Sequence, residues 1–174
     1  KFFGTTKSMI NDLLMNITNM QSLFVGINKH GSNSREGIEQ IEQTFASDYQ
    51  ILIFPAGLAS RRKKGVVKDL EWKKTFITRA IKYERDIIPV HISGNLSNFF
   101  YNFANLRKAL RIKANFEMLY LSDETFKQKR KKFTITFGKP ISYSRFDKTQ
   151  TQYQWAQLVK QHVYKIKDDK NAEF

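Results

Sequence analysis

The chain has 174 residues, about the size of one domain and long enough to bury a hydrophobic core. It carries 30 basic and 16 acidic residues, and the net charge of +14 favours an anionic partner such as a membrane surface, a phosphorylated substrate or nucleic acid. There is no cysteine, which excludes disulfides and thiolate nucleophiles, and no apolar run approaches the ~18 residues of a membrane span.

The first third predicts alternating helices and strands. Met9, Leu13 and Ile17 recur at helical spacing. A later helix is expected to bury Ile41 and Phe45, together with Ile38. In order, we expect a helix at 5–20, a strand at 23–27, a loop at 28–34, a helix after that loop and a strand at 50–54. Helices that alternate with strands indicate an α/β fold with parallel strands.

The remainder continues the pattern and ends in one long helix. We expect a helix at 69–83, a strand at 87–92, a helix at 98–112, strands at 115–121 and 132–137, a helix at about 150–166 and a polar tail at 167–174. Phe99, Phe103, Leu106 and Leu110 are in helical register and are expected to face the core. The sequence therefore predicts one α/β domain over residues 1–174, with a mixed, mostly parallel sheet flanked by helices.

The stretch 50–62 is the most distinctive. A short apolar run, expected to be a central strand, stops at Pro55, which cannot continue such a strand, and Gly57 permits a tight turn. Arg61 and three further cations follow at once. Because ligands in α/β sheets bind beyond the carboxyl ends of strands, this pattern indicates an anion site. An ordinary turn followed by solvated charges is the alternative.

These residues carry a family resemblance. Phe54-Pro55-Ala56-Gly57, Ser60-Arg61, Gly65 and Asp69-Leu70-Glu71-Trp72 resemble the third conserved block of the glycerolipid, or lysophosphatidic-acid-type, acyltransferases. The alanine at position 56, where glutamate is commoner, is similar to the bacterial hemolysin-like or ornithine-lipid-type branch. The likeness extends over roughly residues 10–145 and implies a glycerol-3-phosphate-acyltransferase-like fold.

The resemblance also implies a substrate-binding set. A basic residue after the second strand of the family holds the acceptor's phosphate, and here that position is Asn28 or Lys29. Exposed loop charges with no such role are the alternative at these positions. The implied substrate-binding residues are Asn28, Lys29, Arg35, Phe54, Pro55, Ala56, Gly57, Ser60 and Arg61.

The family's catalytic block, His-x-x-x-x-Asp, has no match in the chain. The residues five positions after His30, His91 and His162 are arginine, leucine and lysine. The block is therefore expected upstream of Lys1, in a chain truncated at its N-terminus, or else the protein is not a catalyst. No catalytic residue is assigned. His30 is the best-placed local substitute, although it fits an exposed loop residue better.

The implied reaction transfers a fatty acyl group from an acyl carrier protein or coenzyme A thioester to the hydroxyl of a lysolipid. It needs no metal and no cofactor. The implied location is the cytoplasmic side of the membrane, with a peripheral contact to the anionic membrane surface. The stretch 99–113 either lies on the bilayer or faces the core with solvated cations. The alternatives are an inactive lipid-binding module and a nucleic-acid-binding domain. We expect no nucleic acid, because the aromatic residues fall on stripes predicted to be buried.

Overall fold

The computed structural model describes residues 5–11, 22–27 and 35–174. Within these ranges the strands are β1 Thr6–Asn11, β2 Phe24–Ile27, β3 Gln50–Leu52, β4 Arg61–Lys63, β5 Val66–Lys68, β6 Val90–Ile92 and β7 Ile135–Phe137. The α-helices are α1 Arg35–Ala46, α2 Thr75–Lys82, α3 Asn98–Ala109, α4 Leu121–Phe126 and α5 Gln152–Ile166. Short 3-10 helices span Phe116–Tyr120 and Tyr143–Arg145. The mixed α/β class predicted from the sequence is confirmed.

The first element is a strand, and the prediction of a helix there is wrong. β1 lies between β2 and β3 and pairs with both in parallel, with Met9 opposite Val25 and Lys7 opposite Ile51. Ser8 and Met9 are consecutive, so they point to opposite faces of the sheet, and both are buried. A strand covered on both faces loses the alternation that marks a strand in sequence. Positions 12–20 of the predicted helix lie outside the described residues.

The strand before the turn at residues 54–57, here called the Phe54 turn, is shorter than predicted. β3 ends at Leu52 and lies at one edge of the described sheet, where a central position was expected. The three strands are parallel, so their carboxyl ends meet at the same edge of the sheet. The Phe54 turn follows β3 at that edge.

Two antiparallel pairs complete the strands. β4 and β5 form a hairpin whose two turn residues, Lys64 and Gly65, both have positive φ, 50° and 80°. Two positive φ angles suit a two-residue hairpin turn, because they match the twist of the flanking strands. β6 pairs with β7, with Val90 opposite Phe137. The hairpin has no counterpart among the predicted elements.

The core has two clusters. The larger lies around α2 and α5 and comprises Trp72, Phe76, Ile77, Ile141, Phe146, Trp155, Ala156, Val159 and Val163. The smaller packs α1 onto the parallel sheet through Ile41 and Phe45, which meet Met9 and Val25. Ile38 was expected in this face but is exposed.

The orientation of α3 is opposite to the prediction. Its buried residues are Phe100, Tyr101 and Ala104, whereas Phe99 and Leu106 of the expected core stripe are exposed. The helix carries apolar side chains on two faces, so periodicity alone could not choose between them.

The segment after α3 is helical, and the predicted strand at 115–121 is wrong. It forms the 3-10 helix Phe116–Tyr120 and then α4, and each contains one fully buried glutamate, Glu117 and Glu124. No helix in the described ranges combines the length and the apolar character that a membrane span requires.

The C-terminal helix agrees with its prediction, and the segment after it packs back onto the protein. Thr151 caps α5 by accepting a hydrogen bond from the Gln154 amide, and the Gln154 side chain accepts from the Thr151 amide. Residues 167–174 were expected to be a polar tail. Ala172 is buried there, and the ring of Phe174 lies 5.3 Å from that of His162.

Candidate functional site

The turn at the end of β3 is a β-turn with proline and glycine in favourable positions. The Gly57 amide donates to the Phe54 carbonyl at 3.0 Å, which places Pro55 second and Gly57 fourth in the turn. Gly57 has φ 66°, a left-handed backbone conformation that residues with a β-carbon rarely adopt. The Phe54 ring is exposed, whereas Ala56 packs against the larger core cluster. The turn is therefore rigid and presents one aromatic ring outward.

Ser60 and Asp69 are joined in a network behind this turn. The Ser60 hydroxyl donates to one oxygen of the Asp69 carboxylate at 2.5 Å, and the Trp72 indole N–H donates to the other at 3.1 Å. The Asp69 amide donates to the Tyr164 hydroxyl, and the Lys160 ammonium donates to the Asp69 carbonyl. The spacing of aspartate and tryptophan in this motif thus serves a structural purpose.

Asp69 does not lie in the first turn of a helix, where the sequence placed it. α2 begins six residues later, at Thr75. The backbone between Asp69 and α2 makes tertiary hydrogen bonds instead. The Lys73 amide donates to the Pro55 carbonyl. The Trp72 amide donates to the side-chain oxygen of Gln157, and the side-chain nitrogen of Gln157 donates to the Trp72 carbonyl. These tertiary bonds replace the first turns of the predicted helix and attach this segment to the turn and to α5.

Arg61 reaches a buried carboxylate. Its guanidinium donates to Glu117 at 2.7 Å and to the Ala59 carbonyl at 2.7 Å, and it lies over the ring of Phe100. Arg107 contacts the same carboxylate from the other side, with its Nε 2.7 Å from Glu117. Glu117 has no exposed surface. Burial lowers the pKa of Arg61 below its ordinary value, and the negative charge of Glu117 offsets part of that shift.

Arg62 attaches the same hairpin to α3. Its two terminal nitrogens donate to the side-chain oxygens of Asn98 and Asn102, at 2.7 and 2.5 Å, and its guanidinium lies over the ring of Tyr101. The alternative of a fully solvated basic loop therefore fails for both arginines. Lys63 and Lys64 are the exposed members of the run.

The chain's similarity to known proteins identifies its family. A family model described as acyltransferase matches residues 1–173. The chain belongs to this acyltransferase family. The resemblance found in the Phe54 to Trp72 blocks is thereby confirmed.

Two relatives of this chain carry a more specific name. It is 54% identical over 163 residues to a lyso-glycine lipid O-acyltransferase of Phocaeicola vulgatus, with 94% of this chain and 58% of that protein covered. A lyso-glycine lipid O-acyltransferase of Bacteroides thetaiotaomicron is 53% identical, with 94% and 60% covered. The chain thus spans somewhat under two thirds of the length of these relatives.

A solved structure similar to this chain is that of the 1-acyl-sn-glycerophosphate (LPA) acyltransferase PlsC from Thermotoga maritima. The match covers 97% of this chain and 59% of that one, with 17% sequence identity and a TM-score of 0.47.

The described structure places some of the predicted substrate-binding residues together and leaves others apart or undescribed. Phe54, Pro55, Ala56 and Gly57 form one turn, and Ser60 and Arg61 follow it into β4. Arg35 is the exposed first residue of α1. Asn28 and Lys29 lie outside the described residues. The substrate-binding role of all nine residues stays a prediction.

The histidines of this chain lie in different settings. His162 is buried in α5. Its pKa is lowered mainly by burial and to a smaller extent by the positive charge of Lys165. Its Nε2 has no hydrogen-bond partner in the part of the chain that the structure describes. His91 is half-buried in β6 beside the ring of Tyr164, and burial lowers its pKa too. His30 lies outside the described residues.

Sequence reasoning missed the buried glutamates. Glu124 accepts hydrogen bonds at 2.6 Å from both the amide and the hydroxyl of Ser97, which caps α3. Burial acts to raise the pKa of Glu124, but these bonds and Lys127 outweigh it, so the pKa lies below its ordinary value. The one sequence signal of a buried glutamate was its position among apolar neighbours, as Glu117 has in residues 116–120.

Proposed function

We propose that the protein transfers a fatty acyl group from a thioester donor to the hydroxyl of a lysolipid. The identity of 54% over 94% of the chain to a lyso-glycine lipid O-acyltransferase carries this proposal. It also favours a lyso-glycine lipid as the acceptor over lysophosphatidic acid. Glycine contributes a carboxylate to such a lipid, and cations that bind phosphate also bind carboxylates.

The described site supports anion binding near the Phe54 turn. Arg61 and Arg107 share the single charge of Glu117, so this cluster retains a net positive charge. Lys63 and Lys64 add exposed cations at the tip of the same hairpin. A rigid turn beside fixed positive charge is an arrangement that orients an anionic headgroup without reorganisation.

An acylation assay tests the proposal. The complete gene product is incubated with lyso-glycine lipid or lysophosphatidic acid and with palmitoyl donors on acyl carrier protein or coenzyme A, and products are measured by mass spectrometry. We expect ester formation on lyso-glycine lipid, with at least about ten-fold lower kcat/KM for lysophosphatidic acid. Preference for lysophosphatidic acid would refute the acceptor, and no ester with any pair would refute the activity.

The 174-residue chain assayed alone supplies the comparison. We expect it to be inactive, because none of its three histidines has an aspartate five residues later to orient it as a general base. Robust turnover by the chain alone would show that a different residue acts as the base.

A further inference from the structure

The outward side of α3 and the two short helices beside it form a continuous apolar surface, here called the α3 face. It comprises Phe99, Phe103, Leu106 and Leu110 of α3, Leu119 and Tyr120 of the 3-10 helix, and Phe126 at the end of α4. The rings of Phe99, Phe103 and Tyr120 contact one another, with centroids 5.1 to 5.8 Å apart.

Several side chains on and beside the α3 face are largely exposed. Leu110 is 62% and Leu119 75% exposed. Phe126, at the end of α4, is 78% exposed, and the ammonium of the next residue, Lys127, lies 5.9 Å from the centre of the Phe99 ring. Large clustered apolar side chains at such exposure mark an interaction surface.

Positive charge dominates the segment that forms this surface. Residues 98–132 contain nine basic and three acidic residues. Glu117 and Glu124 are fully buried and paired, and Asp123 pairs with Lys127. The exposed cations of this segment therefore have no unpaired acidic residue within the segment itself. They are Lys108, Arg111, Lys113, Lys129, Arg130, Lys131 and Lys132.

We infer that the α3 face docks on an anionic lipid bilayer. Exposed aromatic and leucine side chains enter the boundary between headgroups and acyl chains, and the lysines and arginines of the same segment contact anionic headgroups. The inference is independent of the acyl-transfer proposal, because it depends only on the surface itself. It explains why α3 turns its longer apolar stripe away from the core.

Charge distinguishes the bilayer from other occupants. A second copy of this chain would bring a second set of like charges against the first, which costs free energy. A bilayer of anionic lipid supplies opposite charge to these cations while accepting apolar side chains in its interior.

Vesicle sedimentation tests the inference. The purified protein is mixed with vesicles of phosphatidylglycerol and phosphatidylcholine, or of phosphatidylcholine alone, without acyl donor or acceptor, so that failure of catalysis cannot affect the result. We expect binding to the anionic vesicles that falls at least ten-fold between about 0.05 and 0.5 M salt. Equal binding to both vesicles, or no binding to either, would overturn the inference.

The apolar contribution is tested by the double variant Leu119→Ser with Phe126→Ser. Both side chains are so exposed that the fold should survive, which circular dichroism checks. Binding should fall by roughly ten-fold or more. The matched control is Ile38→Ser with Val66→Ser, which changes two exposed residues on α1 and β5 and should bind as the parent does. Equal binding of both double variants would overturn the inference.

The charge contribution is tested by Lys129→Glu with Lys131→Glu. Reversal of two charges of this segment should weaken binding by roughly ten-fold or more. The control, Lys73→Glu with Lys74→Glu, reverses two exposed charges before α2 and should have a clearly smaller effect. Equal losses in both variants would show that net charge, and not the α3 face, governs binding.

Two other outcomes would assign the surface to a different occupant and overturn the inference. One is a dimer, seen by light scattering, that Leu119→Ser with Phe126→Ser dissociates while vesicles are not bound. The other is binding of a DNA oligonucleotide that the same variant loses while vesicles are not bound.

Discussion

Glu117 is the residue on which the positions of two arginines depend. It has no exposed surface, and each of its oxygens lies 2.7 Å from a guanidinium nitrogen, one of Arg61 and one of Arg107. Arg61 comes from the hairpin and Arg107 from α3, so one carboxylate joins three segments of the chain. A buried charge of this kind depends on its partners.

Removal of the carboxylate should therefore be costly. Glu117→Ala leaves two mostly buried guanidinium groups without a counter-charge, and we expect the free energy of unfolding to fall by about 3–5 kcal/mol in urea titration. Arg61→Ala should cost less, about 1–3 kcal/mol, because Arg107 still neutralises Glu117. Glu39→Ala, at an exposed position on α1, is the control and should change stability by under about 0.5 kcal/mol. A Glu117→Ala protein as stable as the control would refute the structural role.

At the scale of elements, one carboxylate attaches α1 to α2. Glu42 on α1 receives hydrogen bonds from Arg79, Lys82 and Tyr83, and the Arg79 guanidinium also lies over the ring of Phe45. The hydrogen bonds from Lys82 and Tyr83 lower the pKa of Glu42 from 4.5 to about 2.

This lowered pKa predicts a pH-dependent contribution to stability. A carboxylate whose pKa is lower in the folded state stabilises the fold above its unfolded pKa of 4.5, and the contribution is lost as the pH falls towards 2. Glu42→Gln should therefore be less stable than the parent at pH 6, by roughly 1–2 kcal/mol, since the group is partly solvated. The difference should shrink at pH 3. Urea titrations of both proteins at the two pH values measure it, and a difference independent of pH would contradict the prediction.

At the scale of the whole molecule, like charges oppose the compact state. The net charge is +14, so fourteen positive charges stay uncompensated even if every acidic residue pairs with a basic one. Self-repulsion of this kind is screened by salt over about 10 Å at ~0.1 M.

Salt should consequently stabilise the protein. We expect the Tm to rise by roughly 2–4 °C between about 0.02 and 0.2 M sodium chloride, as screening contributes on the order of 1 kcal/mol. Lys129→Glu with Lys131→Glu lowers the net charge by four units and should show a smaller rise. A parent Tm that falls with salt would mean that attractive ion pairs outweigh the repulsion.

The sequence by itself determined the family, the α/β class and most element positions. The Phe54 to Trp72 blocks carried the resemblance, and the spacing of Trp155, Val159 and Val163 placed α5 correctly. These features are local, because turn chemistry, capping and helical period act over a few residues.

Only the tertiary structure decided which faces are buried and which charges are paired. α3 carries two apolar faces, and contacts with the rest of the fold bury Phe100 and leave Leu106 exposed. From the sequence, Arg61 could be a solvated loop cation, and only the fold places Glu117, 56 residues later, beside it. β1 reads as a helix because its burial on both faces comes from neighbouring elements. Each of these outcomes depends on contacts between residues distant in sequence, which no local pattern records.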